Sequence, residues 1–234
     1  MKKLILPFLL SSLMVGCSST VSTPNLEQFS EYSGGSVMGD TTSLFWYTEY
    51  LSSPFTAADY ITAGEYGWYK TDYRWDEGEL RELIREGEQL SLQQSNEQEL
   101  VPYRIHARFN KNGEAIYQQY RMDGKVFPLR ASMIEQLQQE ARNIGVQTKQ
   151  QAKQGIELVQ GYWDGSQFES CEGRSYTEIE FNQTLPSFVV SRLASIDSYV
   201  AFLGSTRGNR VVVEELLMLA EDSHDCMQRT VLVE

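Results

Sequence analysis

Histidine is almost absent from this chain of 234 residues, with His106 and His224 the only two. A hydrolytic triad needs a nucleophile, a base and an orienting group within hydrogen-bond reach, and histidine is its usual base. No Gly-x-Ser-x-Gly elbow is present, and His106, flanked by Arg104 and Arg108 across one residue each, reads as a surface side chain. Phosphate-cradling loops are lacking too, because Gly34-Gly35 has no Walker lysine and no strand–helix context. Cysteine is scarce, at Cys17, Cys171 and Cys226 alone. Base is outweighed by acid, with 20 Lys and Arg against 32 Asp and Glu and a net charge of −12. That balance opposes binding to nucleic acid or to a bare anionic lipid surface. Beyond the N-terminus no run is long and apolar enough to span a bilayer. These absences lead to an expectation of a non-catalytic protein without a cofactor.

What is present begins at the N-terminus. Lys2 and Lys3 precede an apolar run from Leu4 to Leu10 that Pro7, Ser11 and Ser12 interrupt. The run falls far short of the roughly 20 residues of a membrane span, and its layout is that of an export signal. It closes on Leu13-Met14-Val15-Gly16-Cys17, with no Ala-x-Ala-like site, and the Gly-Cys junction resembles the lipobox of bacterial lipoproteins. The resemblance implies cleavage before Cys17 and lipidation of its sulfur. Each buried methylene of an acyl chain contributes about 0.8 kcal/mol, so several chains form a stable anchor. Ser18 stands where an inner-membrane retention signal would carry Asp. The expected location is therefore the periplasmic face of the outer membrane in a Gram-negative bacterium. The organisation expected is a signal peptide over 1–16, a lipidated flexible tether over 17–36, and a periplasmic domain over 37–234. Removing residues 1–16 takes away two bases and no acid, which makes the chain still more negative.

In an oxidising periplasm, Cys171 and Cys226 are expected to form one disulfide. Closing a loop of about 55 residues contributes roughly 4 kcal/mol in the chain-entropy model. The competing reading, a metal site of Cys171, His224 and Cys226, lacks a fourth ligand, so no metal is expected.

The domain reads as α+β. Ser43 to Leu51 and Tyr60 to Trp75 are dense in aromatics and Thr, which suit a pleated surface. In Tyr103 to Phe109, the apolar residues Tyr103, Ile105, Ala107 and Phe109 alternate with Arg104, His106 and Arg108. Asn110 to Gly113 turns the chain, and Ala115 to Met122 returns as the antiparallel partner. Leu80 to Leu90 is read as a strand despite some helical spacing. Ser132 to Gln154 is the one long helix, with Met133, Leu137, Ala141 and Ile144 on its apolar stripe and Gly155 at its end. Its many glutamines read as a solvated face. After it come a hairpin from Ile156 to Cys171, a strand from Ser175 to Phe181, a short helix from Leu185 to Ala194, and a strand pair around Thr206 to Asn209. The expected fold is an antiparallel β meander, a curved sheet or half-barrel, with one long helix packed on it and a smaller disulfide-closed C-terminal β part. A sub-division into 37–155 and 156–234 follows.

The succession Tyr73-Arg74-Trp75, Ala107-Arg108-Phe109 with Gly113-Glu114, Gly161-Tyr162-Trp163 and Cys171-Glu172-Gly173 resembles the YjaH-like bacterial lipoproteins. The resemblance covers Thr71 to Gly173 together with the lipobox. That family has no assigned activity, so it implies a role for Cys17 alone.

Two clusters invite a chemical reading. Asp76, Glu77, Glu79, Glu82, Glu86 and Glu88 form an acid-rich run interleaved with Arg81 and Arg85, read as a solvated strand face. Arg104, Arg108 and Arg121 fall on adjacent strands and form a candidate anion-binding stripe, with cross-strand pairing to nearby acids as the other reading. The functional expectation is a non-catalytic binding or accessory factor that meets an envelope protein. The alternative is a carrier of an apolar cargo, a lipid or acyl chain, in a half-barrel. An enzyme of unknown class ranks third.

Overall fold

The computed structural model describes residues 28–92 and 98–227. Eight strands follow one another as an antiparallel meander: β1 (Phe29–Met38), β2 (Thr41–Tyr50), β3 (Ser53–Thr62), β4 (Gly67–Asp76), β5 (Glu79–Leu92), β6 (Gln98–Phe109), β7 (Ala115–Met122) and β8 (Lys125–Phe127). The turns between them use the residues such turns demand. Asn110 accepts hydrogen bonds from the backbone N–H groups of Asn112 and Glu114 through Oδ1, and Gly113 adopts φ 77°. Asp123 and Gly124, at φ 48° and 71°, close the β7–β8 turn.

One face of this sheet is apolar because every second residue points to it. Phe45 and Tyr47, Ala57, Tyr73 and Trp75, Leu83, and Ile105, Ala107 and Phe109 are all buried in one cluster. The long helix α1 (Ala131–Lys153) lies in the concavity and adds Ile134, Leu137, Ala141 and Ile144 to it. The sheet curls around the helix as a nearly closed half-barrel. Gly87 lies in the bend: a Cβ there would meet the Trp68 carbonyl oxygen at 2.1 Å, so only glycine permits that approach of β4 and β5. Gly145 plays the matching part on the helix, facing the Tyr47 ring with room for hydrogen alone, since a Cβ would stand 2.9 Å from Cζ.

The second sheet holds β9 (Glu157–Trp163), β10 (Phe168–Ser170), β11 (Ser175–Tyr176), β12 (Glu178–Phe181), β13 (Ser198–Arg207) and β14 (Arg210–Glu221), with α2 (Ser187–Ser195) between β12 and β13. Its strand order is β11-β10-β9-β13-β14-β12, and its core is Phe168, Tyr176, Val200, Phe202, Val211 and Val213. The disulfide Cys171–Cys226 ties the β10–β11 connection to the segment after β14, with Cα atoms 5.9 Å apart. The two sheets meet through Leu44, Leu203 and Leu217, and through the Thr42 hydroxyl, which donates to the Leu217 carbonyl at 3.1 Å.

Four expectations need correction. The tether expected through residue 36 gives way to structure at Phe29, because β1 pairs with β2 along its whole length, from Phe29 opposite Tyr50 to Met38 opposite Thr41. Backbone pairing holds this Ser- and Gly-rich strand, and Gly34 and Gly35 are buried in spite of their composition. The strand expected over Ser175 to Phe181 is two, and its second half, β12, pairs with β14 in parallel. The helix turns Ile134 inward in place of Met133. Its glutamines are partly structural: Gln147 and Gln151 donate to the Gly35 carbonyl at 3.0 and 2.8 Å, and Gln138 donates to that of Gly113 at 2.9 Å. The signal peptide and Cys17 lie outside the described residues.

Candidate functional site

The backbone of α1 runs nearest β1, β2 and β3. Along β4 to β8 the concave wall is less closely covered, and its inward residues include a group of aromatic and polar side chains. Period-two alternation dictates this set. On β4, Tyr69, Thr71 and Tyr73 face inward; on β5, Gly87, Arg85 and Leu83 lie opposite them, with Gln89 next along opposite Gly67; on β6, Tyr103 and Ile105 continue the rows. Tyr69, Tyr103, Tyr120 and Phe127 are half-buried. Tyr103 and Tyr120 meet edge to face at 6.4 Å, and Tyr120 and Phe127 lie 5.8 Å apart. Gln89 donates to the Tyr120 hydroxyl at 2.9 Å.

At the floor of this wall sits Arg85, buried and multiply held. Its Nε donates to the Thr71 hydroxyl at 2.8 Å, and its Nη2 donates to Glu140 Oε2 of α1 at 2.7 Å and to the Tyr73 hydroxyl at 3.3 Å. Its guanidinium carbon stands 4.0 Å from the centre of the Tyr69 ring, a cation–π contact. Tyr73 donates to Asp59 at 2.9 Å, and Asp59 Oδ2 lies 4.0 Å from Arg85 Nη2. Burial pushes the Asp59 carboxyl up to about 6, against the pull of Arg85 and of the Thr71 and Tyr73 hydroxyls. Burial likewise pushes the Tyr73 hydroxyl well above its ordinary value, with Asp59 reinforcing it, and raises Tyr103 to about 12. The tyrosines therefore remain neutral hydrogen-bonding groups, and the fixed charge of the wall is Arg85, with Glu140 and the titrating Asp59 beside it.

Sequence reading missed this group. The acidic neighbours of Arg85 make it read as part of a solvated face, yet it stands two residues from Leu83 and from Gly87. Strict alternation puts it on the apolar side of β5. Asp59 has the same position between Ala57 and Ile61.

The stripe of Arg104, Arg108 and Arg121 is on the opposite, convex face. Arg104 and Arg121 are cross-strand partners. Arg104 Nε donates to Glu86 at 3.0 Å, and Arg108 Nε lies 3.8 Å from Glu82. Glu82 also accepts from Arg74 at 3.1 Å and pairs with His106 Nε2 at 2.8 Å. Burial opposes ionisation of Glu82, but these hydrogen bonds outweigh it and hold the carboxyl below its ordinary range. Cross-strand pairing thus engages Arg104 and Arg108, while Arg121 is exposed and has no ion pair among the described residues. His224 stacks on Tyr199 with ring centres 4.4 Å apart. Among the described residues no three His, Cys, Asp or Glu side chains gather as a metal site.

Two clefts lie outside the half-barrel. One, of about 350 Å³, opens between Gln151, Gln154, Glu214 and Glu215, and the other, of about 390 Å³, between Arg174, Tyr176 and Thr206. No described helix is long and apolar enough to cross a membrane. No curated protein and no solved structure matches the chain. A family model does match, over residues 33–230, and the chain belongs to the family described as "Protein of unknown function (DUF1481)".

Proposed function

We propose that this protein is a lipid-anchored, non-catalytic binding or accessory factor of the Gram-negative envelope. Lipidated Cys17 holds it at the periplasmic face of the outer membrane, and the concave wall of β4 to β8 engages an envelope partner. The observation that carries the reading is the wall itself. Half-buried Tyr69 lies over a fixed cation, Arg85, and half-buried Tyr103, Tyr120 and Phe127 continue across the strands beside it, above a core that side chains already fill. Rigid aromatics beside a preorganised arginine are the residue types that dominate protein recognition. Both histidines lie away from the wall, one on the convex face and one against Tyr199, which supports a non-catalytic role. The order of Tyr73-Arg74-Trp75 and the later motifs supports grouping the chain with the YjaH-like lipoproteins inside its family.

The half-barrel shape favours one other reading, a carrier of a lipid or acyl chain. Phe45, Tyr73, Leu137 and Ile144 occupy the space such a chain would need. Mass spectrometry of extracts from the purified mature protein separates the two readings. A binding factor is expected to yield no lipid beyond its own covalent anchor. A stoichiometric second lipid in repeated preparations would replace the binding reading with the carrier.

A further inference from the structure

The β2–β3 turn carries an apolar residue where the backbone favours almost any other choice. Leu51 and Ser52 adopt φ 49° and 64°, so both central positions of this two-residue hairpin are left-handed, a geometry that selects Asn and Gly. Leu51 is nonetheless 62% exposed at the tip. Around it Phe29, Tyr50 and Phe55 form an aromatic triad, with ring centres 4.9, 5.5 and 6.1 Å apart, and each ring is more than a third exposed. The turn is fastened to the first described residues: Leu51 N donates to the Gln28 carbonyl at 2.9 Å, and the Tyr50 hydroxyl donates to Gln28 Oε1 at 3.2 Å. These contacts leave the apolar tip exposed to water, and a strained backbone that presents apolar surface in this way points to an outside contact.

We infer that the patch of Phe29, Tyr50, Leu51 and Phe55 docks on the lipid leaflet that carries the anchor. The inference rests on the lipid-anchor reading of Cys17. Phe29 is the twelfth residue after Cys17, a stretch of chain that reaches no more than about 43 Å at full extension. The leaflet is therefore the one surface this patch is always near. Tyrosine, phenylalanine and leucine are the residues that settle at the level of lipid headgroups. Charge narrows the chemistry further. No Lys or Arg occurs between Lys3 and Lys70, and the nearby cation Lys149 is committed to Glu49 at 2.6 Å. Attraction to anionic lipid thus contributes nothing, and the contact is apolar, made with zwitterionic lipid and indifferent to salt.

The test uses the lipidated protein in vesicles of phosphatidylethanolamine and phosphatidylcholine. Nitroxide labels are placed at Ser53→Cys beside the turn and, as a control, at Ser166→Cys in the β9–β10 turn. The label at 53 is expected to collide several-fold more with oxygen, relative to a water-soluble nickel chelate, than the label at 166, with no change in high salt. Adding Leu51→Gly, which relieves the turn, together with Phe55→Ser should return the label at 53 to the aqueous value. Equal values at 53 and 166 in vesicle-bound protein would overturn docking and leave the anchor standing. A Cys17→Ala variant that floats with vesicles as well as the wild type, and still does so with Leu51→Gly and Phe55→Ser added, would overturn the anchor reading and docking with it.

Discussion

Asp59 is the residue on which the interior polar group turns. Its folded carboxyl is raised to about 6, against about 3.9 in an unfolded chain. The folded state then holds the proton more tightly than the unfolded one. Its contribution to stability is complete below about pH 4 and is lost as pH rises through about 6. At about 1.4 kcal/mol for each pKa unit, the loss across that window approaches ~3 kcal/mol. Asp59→Asn keeps an acceptor for the Tyr73 hydroxyl and removes the titration. Urea unfolding between pH 4 and 7 should show a flatter stability profile for the variant than for the wild type. An unchanged slope would assign the dependence to another group. Arg85 acts differently, because it is charged at every accessible pH. Its value is orientation, since Thr71, Tyr73 and Glu140 fix its donors and Tyr69 covers its face. A buried arginine with two carboxylates is weak evidence for stability, which favours a role in presenting the wall.

Among the elements, the disulfide offers the most separable contribution. Cys171 and Cys226 close a loop spanning 55 residues of sequence, which includes β11 to β14 and α2. Closing it restricts the unfolded chain by about 4 kcal/mol in the entropy model. Cys226→Ser is expected to lower the melting temperature under oxidising conditions, and a coincident melting curve would deny the bridge that contribution. Local pattern made the meander and α1 legible: period-two alternation in Tyr103–Phe109, the Asn110–Gly113 turn and the three- and four-residue spacing after Leu137 each act within a few residues. β1 was not legible, because backbone pairing with β2 holds it and its own side chains are small. The break between β11 and β12 was hidden for a related reason. The parallel partner of β12 lies on β14, more than thirty residues away in sequence, and nothing local specifies such pairing. The glutamines of α1 misled because a polar side chain aimed at the Gly35 carbonyl has the same sequence signature as one aimed at water.

At the scale of the molecule, a half-barrel filled by its own helix has two surfaces to offer. The convex face is laced by Arg74, Arg104, His106 and Arg108 around Glu82 and Glu86, so most of its charge is satisfied internally. The concave wall keeps its aromatics half exposed, with Tyr69 over one held cation. Alternation could have flagged Arg85 and Asp59 as inward residues, but their convergence with Glu140 needed the packing of α1 against the sheet. The claim that function resides on the concave side is tested most directly in intact cells. A photo-crosslinking residue is placed at Tyr120 on that wall, or at Tyr117 on the convex side of the same strand, in the anchored protein. The account predicts a discrete adduct from position 120 that is missing from 117 and is lost when Tyr103→Ala is added. Adducts of equal yield from both positions, or from 117 alone, would contradict it.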